Sequence, residues 1–261
     1  MDITTIGTAI GTSLLTSFAT SKGKDPSAPI QTLNDLWYLT FGRLQLFTEQ
    51  KRAKHAASLE EYKNNLVKEI SSIPDENLIE PPLSIVGPAL ENSKFYIEEN
   101  ELRNMFAKLV ASSMDNRKST KTHHAFIEII KQLSPIDAQN IALLKDHRYL
   151  PIANFNLNNY ANDKKQSRLV IIPDVFLSNP NCDDVELLRS SITNIKRLGL
   201  VDTYYDIKLK NEQLYETFDN NQYLKSLGQP LLDARPGAET FFEKGFIEFS
   251  SLGNDFKFVC L

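Results

Sequence analysis

Apolar residues recur at spacings of three and four through most of the first half of the chain, a pattern typical of helices with one buried face. It predicts a long helix from about residue 32 to 73, with Gly42 as a point where the helix can bend. Two further helices are predicted, one from Glu98 and one before Pro135. Six apolar residues on these two helices predict a shared core: Leu102, Phe106, Leu109, Phe126, Ile130 and Leu133.

Prolines interrupt the helical pattern after the long helix. Pro74 is predicted to end that helix, because proline lacks the backbone N–H that a helix interior needs. Pro81 and Pro82, followed by Gly87 and Pro88, predict a loop that is neither helix nor strand.

The second half changes to short apolar runs that are typical of strands. Strands are predicted at 151–160 and 168–173, on either side of a polar turn. A helix over 183–198 ends at a glycine and leads into a third strand. The segment 211–240 is polar and is predicted to be irregular, and a short strand and a last helix close the chain.

The order of these elements predicts an α+β protein that is mainly α. A helical N-terminal half with a long helix is followed by a winged-helix-like α/β module. The predicted domains are an apolar N-terminal segment with its linker at 1–31, a helical domain at 32–133 and the winged-helix-like domain at 134–261.

The N-terminal residues 3–19 are uncharged and rich in small and apolar side chains. As a helix they would place two glycines on one apolar face, which lets another helix approach closely. We predict that this face packs on the protein or on a sister subunit. A frayed tail and membrane contact are the alternatives, although the segment is shorter than the ~20 apolar residues of a span. The predicted packing face consists of Ile3, Ile6, Gly7, Ile10, Gly11 and Leu14.

Charge is spread evenly along the chain, which has a net charge of −4. Neither half has the excess of lysine and arginine that binds phosphates, and the helix 183–198 carries three basic against three acidic residues. Nucleic acid is therefore an unlikely partner. Cys182 and Cys260 belong to no metal-type or disulfide-type spacing, and no basic residue precedes Lys22 as a secretory signal would require. We expect a cytoplasmic protein.

The sequence contains no recognisable catalytic constellation. It has no glycine-rich phosphate loop, no GxSxG elbow and no HExxH pair. The adjacent His123 and His124 are better explained as helix-start or surface residues than as metal ligands. The acidic residues Glu98, Glu99 and Glu101 are better explained by the helix dipole than by a bound cation. We expect no catalytic activity, no cofactor and no metal.

Two segments carry a resemblance to a known family. Residues 81–115, PPLSIVGPALENSKFYIEENELRNMFAKLVASSMD, and residues 123–145, HHAFIEIIKQLSPIDAQNIALLK, resemble the core of the bacterial abortive-infection alpha family. The similarity continues through SSITNIKRLGLV at 190–201 and FSSLGNDFKFVCL at 249–261, and it covers about residues 32–261. The resemblance implies a role in phage defence, and it implies no particular enzymatic activity or catalytic residue.

The sequence favours a non-catalytic defence protein that acts through protein–protein interaction or self-association. Its partner would be a phage or host component, or another copy of the chain. A membrane-perturbing effector that uses residues 3–19 is the alternative, and a nucleic-acid-binding regulator is a weaker one. A hydrolase or nuclease with a dispersed site is the remaining hypothesis.

Overall fold

A computed structural model describes residues 14–22, 26–41, 49–161 and 164–261. It confirms the α+β, mainly α class. The chain divides into two compact units, one reaching Pro135 and rejoined by Asp255–Leu261, the other comprising Ile136–Asn254.

The first unit is helical. Its helices are α1 (Leu14–Lys22), α2 (Ala28–Phe41), α3 (Glu49–Ser71), α4 (Leu83–Ser93), α5 (Asn100–Ser113) and α6 (Ala125–Lys131). The predicted helix over 32–73 is described as α2 and α3, and Gly42 lies outside the described residues. The 23-residue α3 confirms the predicted long helix.

The core of the first unit forms where the apolar spacing predicted it. All six core residues named from α5 and α6 and their flanks are buried, and none is more than 4% exposed. A second part of the core is aromatic, because the Trp37 ring lies 4.4 Å from that of Phe41 and 5.5 Å from that of Tyr62. Complete burial raises the pKa of the Tyr62 hydroxyl, so this residue stays neutral.

The prediction of a loop at the second proline cluster is wrong, since Gly87 and Pro88 lie inside α4. The Ile85 and Val86 N–H groups both donate to the Pro82 carbonyl at 2.9 Å, which starts the helix before Pro88 is reached. Pro88 removes only the bond to the carbonyl of residue 84. Both residues are exposed, so water can satisfy that carbonyl.

The C-terminal residues Asp255–Leu261 pack in the first unit, although the sequence assigned them to the second domain. The Ser112 hydroxyl donates to the Val259 carbonyl at 2.9 Å, and Lys121 pairs with Asp255 at 2.8 Å. The Phe126 and Phe256 rings meet edge to face at 5.2 Å. Asp255–Leu261 therefore belongs to the first unit, and Phe256, Val259 and Cys260 are buried in it.

The second unit is built on one antiparallel sheet with strand order β2-β1-β4-β3. Its elements are α7 (Pro135–Asp146), β1 (Leu150–Ala161), β2 (Lys164–Val175), α8 (Val185–Arg197), β3 (Val201–Tyr204), α9 (Glu216–Asn220), α10 (Gln222–Asp233) and β4 (Glu239–Phe249). The closing helix α11 (Ser251–Cys260) starts here. The helix, two strands, helix and strand predicted for this module are present in that order as α7, β1, β2, α8 and β3.

Part of the core of this unit lies on the sheet face that carries Phe155, and Ile152 and Ile247 are buried on the other face. Phe155 of β1 and Ile172 of β2 are directly paired, and both are buried against Phe218 and Leu224. The prediction of an irregular segment at 211–240 is wrong, because α9 and α10 fold there and supply these two residues. The predicted polar turn at 162–167 is also shorter than expected, since β2 already begins at Lys164.

Candidate interaction surface

The outer edge of β2 is open to solvent. Among the described residues, β2 pairs with β1 alone, so the backbone groups that point away from β1 have no strand beside them. The four consecutive residues Ser167–Val170 are all exposed, and they define what we call the β2 edge. Leu169 is 47% exposed and Val170 is 44% exposed. An open strand with apolar side chains is a template for pairing with another chain.

The apolar run of β2 explains how this edge arises. Leu169–Ile172 reads as one buried strand, but only its later half reaches the core. Val175 and Ile172 are 0% and 6% exposed, whereas Val170 and Leu169 are about half exposed. The hairpin of β1 and β2 therefore extends past the apolar core and carries two apolar side chains into solvent.

A chain of polar contacts crosses the sheet face opposite Phe155 and Ile172, and we call it the polar row. Arg168 of β2 forms an ion pair with Glu243 of β4. Asn154 of β1 donates to Glu243 at 3.0 Å, and its own Oδ1 accepts the Asp174 N–H at 3.0 Å. The polar row consists of Arg168, Glu243, Asn154, Asp174, Tyr205 and Lys196. It ties the β2 edge to the centre of the sheet.

Asp174 connects Asn154 to the other two members of the polar row, Tyr205 and Lys196. The Tyr205 hydroxyl donates to Asp174 Oδ1 at 2.5 Å, and Lys196 Nζ lies 3.4 Å from Oδ2. Asp174 has a φ of +53°, a left-handed conformation that costs energy for a residue with a side chain. The strand pairing shifts register here, as it does at a β-bulge. The hydrogen bonds on both its backbone and its side chain hold this conformation.

Tyr205 reaches Asp174 because the strand below it carries a glycine. A Cβ added at Gly245 would lie 2.0 Å from the Tyr204 carbonyl oxygen and 2.8 Å from the Tyr205 ring. No other residue leaves room for this approach. Burial and the hydrogen bond to the Asp174 carboxylate both raise the pKa of Tyr205, so it acts as a neutral donor.

The pKa of Glu243 reflects two opposed effects. Burial alone would raise the pKa of this carboxyl, but hydrogen bonds from Arg168 and Asn154 outweigh it and lower the pKa. Glu243 is therefore ionised at neutral pH, which keeps its pair with Arg168 intact. The guanidinium of Arg168 also lies 5.5 Å from the centre of the Phe241 ring. Arg168 is held by the Glu243 carboxylate and by the Phe241 ring, and it positions the backbone of the β2 edge.

The residues singled out from the sequence lie elsewhere. Of the predicted N-terminal packing face, Leu14 is buried in α1, while Ile3, Ile6, Gly7, Ile10 and Gly11 lie outside the described residues. Glu98 and Glu99 precede α5 and Glu101 lies in its first turn. In the described ranges, the side chains of His, Cys, Asp and Glu form no group of three or more that could hold a metal ion. None of the described helices is both long and apolar enough for a membrane span.

The structure places the exposed His124 beside Ser84. His124 Nε2 lies 3.1 Å from Ser84 Oγ, within hydrogen-bond distance, and both residues are exposed. His123 Nε2 lies 3.7 Å from Asp255. The contact with Ser84 could not be predicted from the sequence, because 40 residues separate the two side chains.

The helix predicted over 183–198 is α8, and its basic residues form contacts within the unit. Arg189 donates to Glu186 at 2.9 and 3.1 Å. Lys196 donates to Thr203 at 2.7 Å, and Arg197 donates to Asn194 at 2.8 Å.

A polar cleft of about 540 Å³ opens beside the first residues of α8 and α10. One of the residues that line it, Asn179, begins a buried chain of hydrogen bonds. Asn179 donates to Asn140, and Asn140 donates to the Ser191 hydroxyl, each at 2.8 Å. The cleft is lined by Leu177, Asn179, Pro180, Asn181, Cys182, Asp183, Thr217 and Asn221. The buried chain of hydrogen bonds fixes the loop that carries Asn179 against α7 and α8.

These observations define an α+β protein with a helical unit and a second unit whose antiparallel sheet has an open edge. The chain belongs to the abortive infection alpha family, whose model matches residues 54–260. Membership indicates a role in abortive-infection defence against phage. No curated protein and no solved structure matches the chain.

Proposed function

We propose that the protein contributes to phage defence by binding another protein chain through the sheet of its second unit, without catalysing a reaction. The observation that carries the proposal is the β2 edge, where four consecutive strand residues are exposed and two of them are large and apolar. Exposed apolar groups next to unpaired strand backbone are a recognised basis for protein binding. The partner is a phage or host component.

The charge pattern supports a protein partner over a nucleic acid. Of the three basic residues of α8, Arg189 forms an ion pair with Glu186 and Lys196 forms one with Asp174 within the unit. Arg168, at the β2 edge, is neutralised by Glu243. Recognition of DNA normally draws on unneutralised lysine and arginine side chains.

An infection assay of the Leu169→Ser/Val170→Ser variant tests the proposal. Serine removes the apolar contact of both residues, and both are half exposed in the free protein, so the fold should tolerate the change. We expect the variant to fold and to lose defence.

Substitutions at the contact between Ser84 and His124 test the non-catalytic part of the proposal. A nucleophile and its base lie at about this distance in enzymes that use serine, so Ser84 and His124 are the residues on which a hydrolytic mechanism would depend. We expect Ser84→Ala and His124→Asn each to defend as well as the parent, measured as plating efficiency of phage. Loss of defence by a variant that is expressed and folded would count against the non-catalytic part of the proposal.

A further inference from the structure

We propose that the β2 edge binds an acidic, extended segment of the partner, which adds to the sheet as a fifth strand. This inference rests on the proposed function, and it names the kind of segment that the surface accepts. The backbone, the side chains and the charge of β2 each support this inference.

The backbone of β2 offers a pairing edge of sufficient length. β2 has 12 residues and, within the part of the chain that the structure describes, no strand pairs with its outer side, whereas the sheet's other outer strand, β3, has only four. An added strand gains affinity from main-chain hydrogen bonds, which require an extended partner but no particular sequence. Short edge strands resist such pairing and long ones permit it. β2 is therefore the edge that can receive a strand.

The side chains of the β2 edge can hold the added strand on both sides. Leu169 and Val170 are neighbours in a strand, so they project to opposite faces of the sheet. Each is about half exposed, and each would contact a side chain of the strand paired beside it. The polar row fixes Arg168 next to them through Glu243, so this part of the edge is ordered before a partner binds.

The charge of β2 indicates which kind of segment binds beside it. From Lys164 to Pro173 the strand contains three basic residues and no acidic one. Over the whole of β2, Lys164–Val175, these three basic residues stand against the single acidic Asp174, so the strand has a net charge of +2. A second copy of β2 would bring the same positive charge to the edge, whereas an acidic segment would complement it. An acidic segment of another protein is thus favoured over self-association.

Synthetic peptides test this inference on the full chain. The probe is a ten-residue peptide of alternating valine and glutamate, which is extended, apolar on one face and acidic on the other. Two control peptides replace its glutamates by lysine or its two central residues by proline. We expect the acidic peptide to bind at least tenfold more tightly than either control, by fluorescence anisotropy, and more weakly as salt is raised. It should also slow hydrogen exchange of alternate amides within Ser167–Val170.

The protein variants complete the experiment. Leu169→Ser/Val170→Ser should weaken binding of the acidic peptide, and Leu187→Ser, at an α8 residue that is also 47% exposed, should not. Equal binding of the acidic and lysine peptides, or unchanged exchange of the β2 amides, would overturn the inference. A dimer of the parent protein that is detected by analytical ultracentrifugation, and that the double substitution dissociates, would also overturn the inference.

Separate outcomes distinguish this inference from the proposed function. If the acidic peptide does not bind but the double variant loses defence, the protein-binding function stands and the acidic strand is wrong. If the peptide binds as described but the double variant still defends, the edge is a binding site and the proposed function fails.

Discussion

Gly245→Ala is expected to destabilise the second unit by about 3 kcal/mol or more, above the usual 1–3 kcal/mol for overpacking. The added methyl would lie 2.0 Å from the Tyr204 carbonyl oxygen, and backbone cannot move aside as a flexible side chain can. β3 would have to separate from β4, and Tyr205 would lose its hydrogen bond to Asp174. The polar row would therefore lose Tyr205.

Urea unfolding followed by circular dichroism measures this effect, with Gly87→Ala as the matched control. No atom lies within 4 Å of a Cβ placed at Gly87, which is inside α4. The control should be neutral or should gain up to about 1 kcal/mol, because alanine is the better helix former. If Gly245→Ala unfolds at the same urea concentration as the parent, the claim that Tyr204 and Tyr205 lie too close to Gly245 for a side chain would be contradicted.

Phe106→Ala is expected to destabilise the first unit by about 3–5 kcal/mol, as large aromatic deletions in a core do. Phe106 is fully buried on α5, and its ring lies 5.9 Å from that of Tyr96. The single tryptophan, Trp37, is buried in the same unit, so its fluorescence reports the unfolding of that unit in urea.

Phe95→Ala is the control for this substitution, since the Phe95 side chain is 79% exposed in the same unit. Its effect should stay within about 0.5 kcal/mol. Equal unfolding midpoints for the two variants would contradict the assignment of Phe106 to the core.

The helical core could be predicted because it depends on local spacing. Phe106, Phe126 and Ile130 recur at helical intervals and are large and apolar, so their burial follows from the pattern. Pro88 misled the prediction because the rule against proline inside helices assumes that the freed carbonyl cannot be hydrated. Here it faces water, and the helix has already started at Pro82.

The helix α10 was missed because Gly228 and Pro230 lie inside it, and both residue types are typical of loops. Its apolar residues Leu224 and Leu227 do recur at helical spacing. Its start is fixed by Asn221, whose side chain accepts the Leu224 N–H at 3.1 Å. Asparagine before the helix was the signal available in the sequence.

The candidate surface could be predicted only in part. The sequence predicted a strand from 168, but the position of that strand at the sheet's edge depends on β4 pairing with β1 from almost 90 residues away. The polar row is also non-local, since 75 residues separate Arg168 from Glu243. One local signal existed: Asn154, Asn156 and Asn158 alternate along β1, where asparagine is a poor strand former and implies polar partners on one face.

The measurement that tests the account most directly is phage plating on cells that carry the Leu169→Ser/Val170→Ser variant, beside cells with the parent and with Leu187→Ser. Expression and urea unfolding of each protein should first be shown to match the parent. The account predicts that the double variant plates phage as efficiently as cells without the protein, while Leu187→Ser protects as the parent does. Full protection by the double variant would contradict the claim that the β2 edge carries the defence function.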